Sequence, residues 1–221
     1  MSPIKREYFL FRSNAIPETR SLIQKGVGIL DMNMNQAFLE TAEKQFQYYK
    51  QLGEKAMEQL ETEQLFEAWH EDANSIAVIV KHLWGNMLSR WTDVLTTDGE
   101  KSWRERDAEF VNDISTREEL LDKWEEGWNC LLNAIRSFTP EQLSHIIYIR
   151  NEGHTLMEAI TRQLAHYPYH VGQIIYAAKM LKETPWNSLS IPRNGSAVYN
   201  GGKFAMPKAR RHFTEDELDK D

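Results

Sequence analysis

At 221 residues, with 41% hydrophobic content, seven Trp, eight Tyr and nine Phe, the chain can bury a sizeable core, most simply as one domain with extensions. A formal net charge of -7 and the lack of a long basic stripe argue against a surface that neutralises nucleic-acid phosphates. The single cysteine, Cys130, excludes an internal disulfide; set among Trp128, Leu131 and Leu132, it reads as a buried thiol in a reducing compartment.

Residues 1–33 contain Pro3, Pro17, Gly26, Gly28 and scattered Lys and Arg but no sustained helical stripe, so a loosely ordered leader is expected there. Met32 and Met34 stand just before the first clear helix, which suggests the hypothesis that translation can start there; intact mass of the protein from its native host decides it. From Met34 to about Leu60, the residues Phe38, Ala42, Phe46, Tyr49, Gly53, Ala56, Met57 and Leu60 recur at spacings of three and four, which predicts an amphipathic helix. A polar connection follows, in which Leu65, Phe66 and Trp69 are expected to cover one end of the core. Ser75 then opens a second helix running to roughly Leu95, apolar nearly all round through Ile76–Trp84, as a helix between neighbours would be.

Residues 101–115 read as an ordered connector. The third helix is predicted from Ser115 or Thr116, with Glu118 and Glu119 placed for a capping box, to Phe138. Pro140 starts one short helical turn, and the β-prone Ile146–Arg150 followed by Asn151-Glu152-Gly153 predicts a small hairpin. Thr155, with Glu158 three residues later, opens the last long helix through Leu181. The expected fold is all-α, a four-helix bundle over residues 34–190 with that hairpin before the last long helix. Residues 191–221 are expected to be extended, with a frayed charged end.

Chemistry concentrates in Gln163-Leu164-Ala165-His166-Tyr167-Pro168-Tyr169-His170-Val171-Gly172-Gln173. Two histidines four apart on a helix point the same way from successive turns, close enough to share one cation. Two imidazoles alone hold a borderline metal weakly, so a third ligand is required. Of seven histidines, His70, His145, His154 and His212 lie in loops, beside the hairpin or in the tail. His82 interrupts the most apolar helix, where an imidazole demands a partner. Either it hydrogen-bonds to a core Tyr or carboxylate, or it joins His166 and His170 as a tridentate site with an open position, as catalytic rather than structural zinc has. Pro168 breaks the backbone ladder between the pair, and either tunes how the imidazoles converge or only bends the helix. Asn86, Gln163 and Gln173, one turn away, could orient an imidazole or could be ordinary amides. Tyr167 and Tyr169 cannot both point inward. Arg104 and Arg106 could grip a substrate carboxylate or tie the connector to the helices.

The segment Asn74–Met87 around His82, together with His166–Ile174, resembles the DinB/YfiT-like superfamily. Ser89–Asp93, Asp98–Lys101 and Trp103-Arg104 are similar to a bacterial branch of it catalogued as a domain of unknown function, and the resemblance covers about residues 35–200. It implies an antiparallel four-helix bundle with one divalent ion, zinc or nickel, on His82, His166 and His170, and a homodimer. It also implies transfer of a low-molecular-weight thiol, bacillithiol-like, to an electrophilic small molecule, the ion lowering the pKa of a thiol in its open position. A hydrolase using the same site, and a non-catalytic metal-stabilised dimeric bundle linked to stress, remain as alternatives. The metalloprotease pattern is absent, because no Glu follows His166. No apolar run approaches the roughly 18 residues of a membrane span and no secretory signal is visible, so the expected location is the cytoplasm, with no membrane or nucleic-acid partner.

Overall fold

The computed structural model describes residues 17–183 and 185–218, with side chains from Met34 onward apart from those of residues 216 and 217. The chain is mostly helical. Four long helices, α1 (Pro17–Met57), α2 (Ile76–Trp91), α3 (Arg117–Ser137) and α4 (Leu156–Leu181), alternate with short 3₁₀ turns at Glu63–Leu65, Arg106–Phe110 and Pro140–Ser144. One antiparallel hairpin, β1 (Ile146–Ile149) and β2 (Glu152–Thr155), precedes α4. Two short helices, α5 (Ser196–Ala205) and α6 (Glu215–Leu218), follow it. Among the described residues, no helix is long and apolar enough to cross a membrane.

The helix starts follow from side-chain caps. Ser75 accepts from the Val78 amide, Thr116 from Glu119 and Thr155 from Glu158, and Glu158 returns a bond to the Thr155 amide. Each such cap stabilises its helix by about 1 kcal/mol, because it satisfies an amide that lacks an intrahelical partner. At the other end of α1, Arg117 donates to the Met57 and Leu60 carbonyls, at 2.8 and 3.1 Å. The start of α3 is thereby fixed to the end of α1.

All four long helices contribute to one core. Phe46 and Met57 from α1, Ile76, Leu83 and Met87 from α2, Trp124, Trp128 and Leu131 from α3, and Ile160, Tyr167 and Ile174 from α4 are all essentially inaccessible. At Gly53 the helices approach so closely that an added Cβ would meet the Trp124 ring at 2.5 Å. Inside the core, the Trp91 indole donates to Tyr167 Oη at 2.9 Å and Tyr167 donates to Asn86 Oδ1 at 3.0 Å, joining α2 to α4 by polar contacts. Tyr167 is fully buried while Tyr169 is 61% exposed, so the two tyrosines divide as their spacing requires.

Several boundaries differ from the sequence reading. Helix α1 begins at Pro17, inside the segment expected to be loosely ordered; residues 1–16 of that leader lie outside the described residues. Helix α2 stops at Trp91 rather than near Leu95, because Thr92 is extended and Asp93 adopts a left-handed φ of 47°. Of the three residues expected to cover that end of the core, Leu65 is buried in it and Phe66 packs against it, whereas Trp69 is 60% exposed. The hairpin turns at Arg150-Asn151, with φ of 55° and 60°, one residue ahead of the expected turn. The reason is Asp98, whose carboxylate accepts from the Arg150, Asn151 and Glu100 amides at 2.7–2.8 Å and clasps that turn. The segment expected to be extended contains α5, and the charged end is docked, not frayed, as far as Leu218. There Thr214 is fully buried, Lys44 pairs with Glu215 at 3.0 Å and Phe213 stacks edge-on against Tyr48.

Candidate metal centre

His82 sits on the buried side of α2, 6% exposed, and His166 and His170 lie on successive turns of α4. The packing of α2 against α4 brings the three rings together, with centroids 4.7–5.7 Å apart and one ligand atom from each within 4.8 Å of the others. Such a group could hold a metal ion.

Hydrogen bonds decide which nitrogens face inward. His82 Nδ1 lies 2.9 Å from Glu109 Oε2, His166 Nδ1 lies 3.0 Å from Gln163 Oε1, and His170 Nδ1 lies 2.7 Å from Gln173 Oε1. Each partner atom is an acceptor, so each Nδ1 carries the proton and each Nε2 presents a lone pair. His166 Nε2 and His170 Nε2 are then 3.1 Å apart with no proton between them. Two lone pairs at that distance repel, and a cation held by the two imidazoles would remove the repulsion. Outer partners that fix the imidazole tautomer in this way are characteristic of metal-ligating histidines. The donor set, three neutral imidazoles, suits zinc, nickel, copper or iron(II) better than a hard oxygen-seeking ion.

The electrostatics keep the two α4 imidazoles neutral. Burial, with the neighbouring His170 and His82, lowers the His166 pKa to about 3. Burial also lowers His170, against the raising effect of the bond it donates to Gln173. Burial alone would push the Glu109 carboxyl up, but the bonds from His82 and Arg104 outweigh it and hold it below the ordinary carboxylate range. Glu109 is therefore an anion, gripped by Arg104 Nε and Nη2 at 2.7 and 2.9 Å. Arg104 in turn donates to Glu100 at 3.1 Å, and Arg150 lies 3.4 Å from the other Glu100 oxygen.

Glu109 has no counterpart in the sequence reading. It comes from the connector, 27 residues beyond His82, and the one available signal was the need of a buried imidazole for an acceptor. Phe110, beside it, stacks on His82 at a centroid distance of 5.0 Å. Gln163 and Gln173 meet the imidazoles, whereas Asn86 does not; it accepts from Tyr167 and borders the cavity beside the histidines. Arg104 is tied inward and only 3% of its side chain is exposed, while the Arg106 side chain is 51% exposed. Cys130 lies elsewhere, between Thr92 and the Met87 carbonyl, and burial pushes its thiol pKa up. Among the described residues, no carboxylate or thiolate joins the three histidines. A second cluster, His70, Glu71 and Asp72, is exposed on a loop.

Residues 33–195 match a family described as "Protein of unknown function (DUF1572)". The chain belongs to this family. The match includes His82, Glu109, His166 and His170, so the whole centre lies inside the DUF1572 region. No curated protein and no solved structure matches the chain at a significant level.

Proposed function

We propose that this DUF1572 protein is a divalent-metal-dependent enzyme on an antiparallel four-helix bundle of DinB/YfiT-like type. It transfers a low-molecular-weight thiol, bacillithiol-like, to an electrophilic small molecule in the cytoplasm, as a homodimer. The observation that carries the metal reading is the commitment of all three Nδ1 atoms to acceptors, in a cluster where one ligand atom from each histidine lies within 4.8 Å of the others. A zinc or nickel ion held there supplies Lewis-acid activation of a bound thiol or water. The chain's own residues do the rest. Glu109, Gln163 and Gln173 hold the imidazole orientations, and burial keeps His166 and His170 neutral at physiological pH.

Catalysis is favoured over a structural ion by two features. The cluster contains no fourth protein ligand among the described residues, and His82 and His166 border a polar cavity of about 290 Å³. Structural zinc is almost always closed by four protein ligands, whereas catalytic zinc keeps a position for substrate. The choice of thiol over water rests on the resemblance of the His82 and His166–Ile174 segments to DinB/YfiT-like proteins.

The test is a screen of the metal-loaded protein with bacillithiol, glutathione and cysteine against a chromogenic electrophile. Thiol consumption above the rate of the His170→Ala protein supports the reading. Metal-dependent ester hydrolysis with no thiol reaction would replace transfer by hydrolysis.

A further inference from the structure

The cavity beside the histidines is lined on its other sides by Arg90, Arg104, Arg106, Arg150 and Arg162, with Glu152 the one acidic lining residue. Arg104 is neutralised by Glu109 and Glu100, and Arg150 leans on Glu100. Arg90 is different. It is 4% exposed, its Nε and Nη1 have no hydrogen-bond partner, and no carboxylate lies within ion-pairing distance of it among the described residues. Arg162, exposed on α4 one turn before His166, has no acidic partner either among the described residues.

A buried guanidinium without a bonded counter-ion is costly, because it has lost hydration without forming compensating hydrogen bonds. Burial lowers the Arg90 pKa from its ordinary value, yet a guanidinium stays protonated in proteins. The hairpin contributes both Arg150 and Glu152 to the lining, but Glu152 forms no ion pair with Arg90 among the described residues. The position is held firmly, since Arg90 packs against Gly99 beneath the Asp98 clasp. Glu100 exerts a charge attraction on Arg90 but does not bond it, and an anion from outside the chain would complete the guanidinium's bonding. Guanidinium forks match carboxylate and phosphate oxygens with paired, charge-assisted bonds.

We propose that this arginine-lined cavity is an oxyanion subsite that takes the carboxylate or phosphate of a small molecule, with Arg90 and Arg162 as its binding residues. Because His82 and His166 form another wall of the same cavity, the remainder of that molecule lies against the three-histidine centre. The subsite therefore selects anionic substrates for the reaction proposed above. That last step rests on the metal reading; the anion site itself does not.

The experiment is calorimetric titration and thermal melting of the full-length protein, both metal-stripped and zinc-loaded, with succinate and with glycerol phosphate. Sodium chloride at equal ionic strength is the reference. One or both oxyanions bind the metal-stripped protein, and the stronger arm identifies the carboxylate or the phosphate as the preferred group. Arg90→Met weakens that binding roughly ten-fold to a hundred-fold, while its melting temperature without anion stays equal to or above that of the parent, because an unpaired buried charge has gone. Arg162→Gln, at an exposed position, weakens binding with no change in melting. Absence of any response beyond chloride in the parent protein overturns the proposal. So does an Arg90→Met protein that binds as the parent does, or binding that occurs only with zinc present and ignores both variants. A chain that binds the oxyanion but no divalent ion keeps the subsite and loses the enzyme reading.

Discussion

Gly85 and Glu109 are in contact so close that a single added methyl group on Gly85 would overlap the Glu109 carboxylate. Gly85 lies on α2 three residues beyond His82, and its missing side chain is what lets the connector bring a carboxylate down onto His82 Nδ1. Gly85→Ala should therefore displace Glu109 while leaving the helix itself intact, since alanine is the better helix former. Zinc affinity, measured by competition with a chromogenic chelator, is expected to fall about ten-fold to a hundred-fold. An unchanged affinity would mean that the Glu109–His82 bond does not support the centre.

Glu109→Gln tests the charge rather than the space. The amide keeps the size of the side chain but leaves Arg104, nearly inaccessible, with Glu100 as its one remaining acidic partner. Loss of charge-assisted bonds at a buried site costs roughly 1–3 kcal/mol. The denaturant midpoint should fall accordingly, and zinc binding should weaken in parallel. A fall in stability without any change in zinc binding would confine Glu109 to tethering the connector.

Stability of the metal-free protein should depend on pH through the α4 histidines. The folded-state pKa of His166 is about 3 and that of His170 is also lowered, whereas an unfolded histidine titrates near 6.5. Between those values the unfolded chain binds more protons, so stability present above about pH 6.5 is lost progressively as the pH falls toward the folded value. Urea midpoints of chelator-treated protein at pH 8, 6.5 and 5 should decrease in that order. The His166→Gln, His170→Gln protein should show a flatter profile over the same range. Equal slopes in the two proteins would assign the pH dependence to other groups.

Asp98 holds the hairpin turn that forms one wall of the arginine cavity. Burial alone would raise its pKa, but the amides of Asn151, Glu100 and Arg150 outweigh that and lower it. Its contribution is present above the unfolded carboxylate value, about 3.9, and is lost as pH falls through the lower folded one. Asp98→Ala should cost about 1–3 kcal/mol and raise hydrogen-exchange rates at the Arg150 and Asn151 amides. Unaltered exchange there would show that the turn holds itself.

What the sequence made legible were the locally encoded features. The caps at Ser75, Thr116 and Thr155 are short-range patterns, and the spacing of His166 and His170 fixes their common face within one helix. His82 was legible because an imidazole in so apolar a helix stands out. Glu109 was not, because it sits among Glu100, Glu105 and Asp107 in a charged connector, and only the folding of that connector over α2 distinguishes it. Asp98 was hidden for the same reason, its partners Arg150 and Asn151 lying more than fifty residues away. Helix α5 escaped because Gly201, Gly202 and the preceding Pro192 lower local helix propensity, and no buried face supplies a periodic apolar signal.

The central claim is that His82, His166 and His170 bind one ion together, and elemental analysis tests it most directly. Protein purified after growth with added zinc and nickel, and then dialysed, is expected to carry about one divalent ion per chain, and the His82→Ala protein far less while keeping its helical circular dichroism. A parent protein free of divalent metal, or a His82→Ala protein that retains the full complement, would contradict the three-histidine centre.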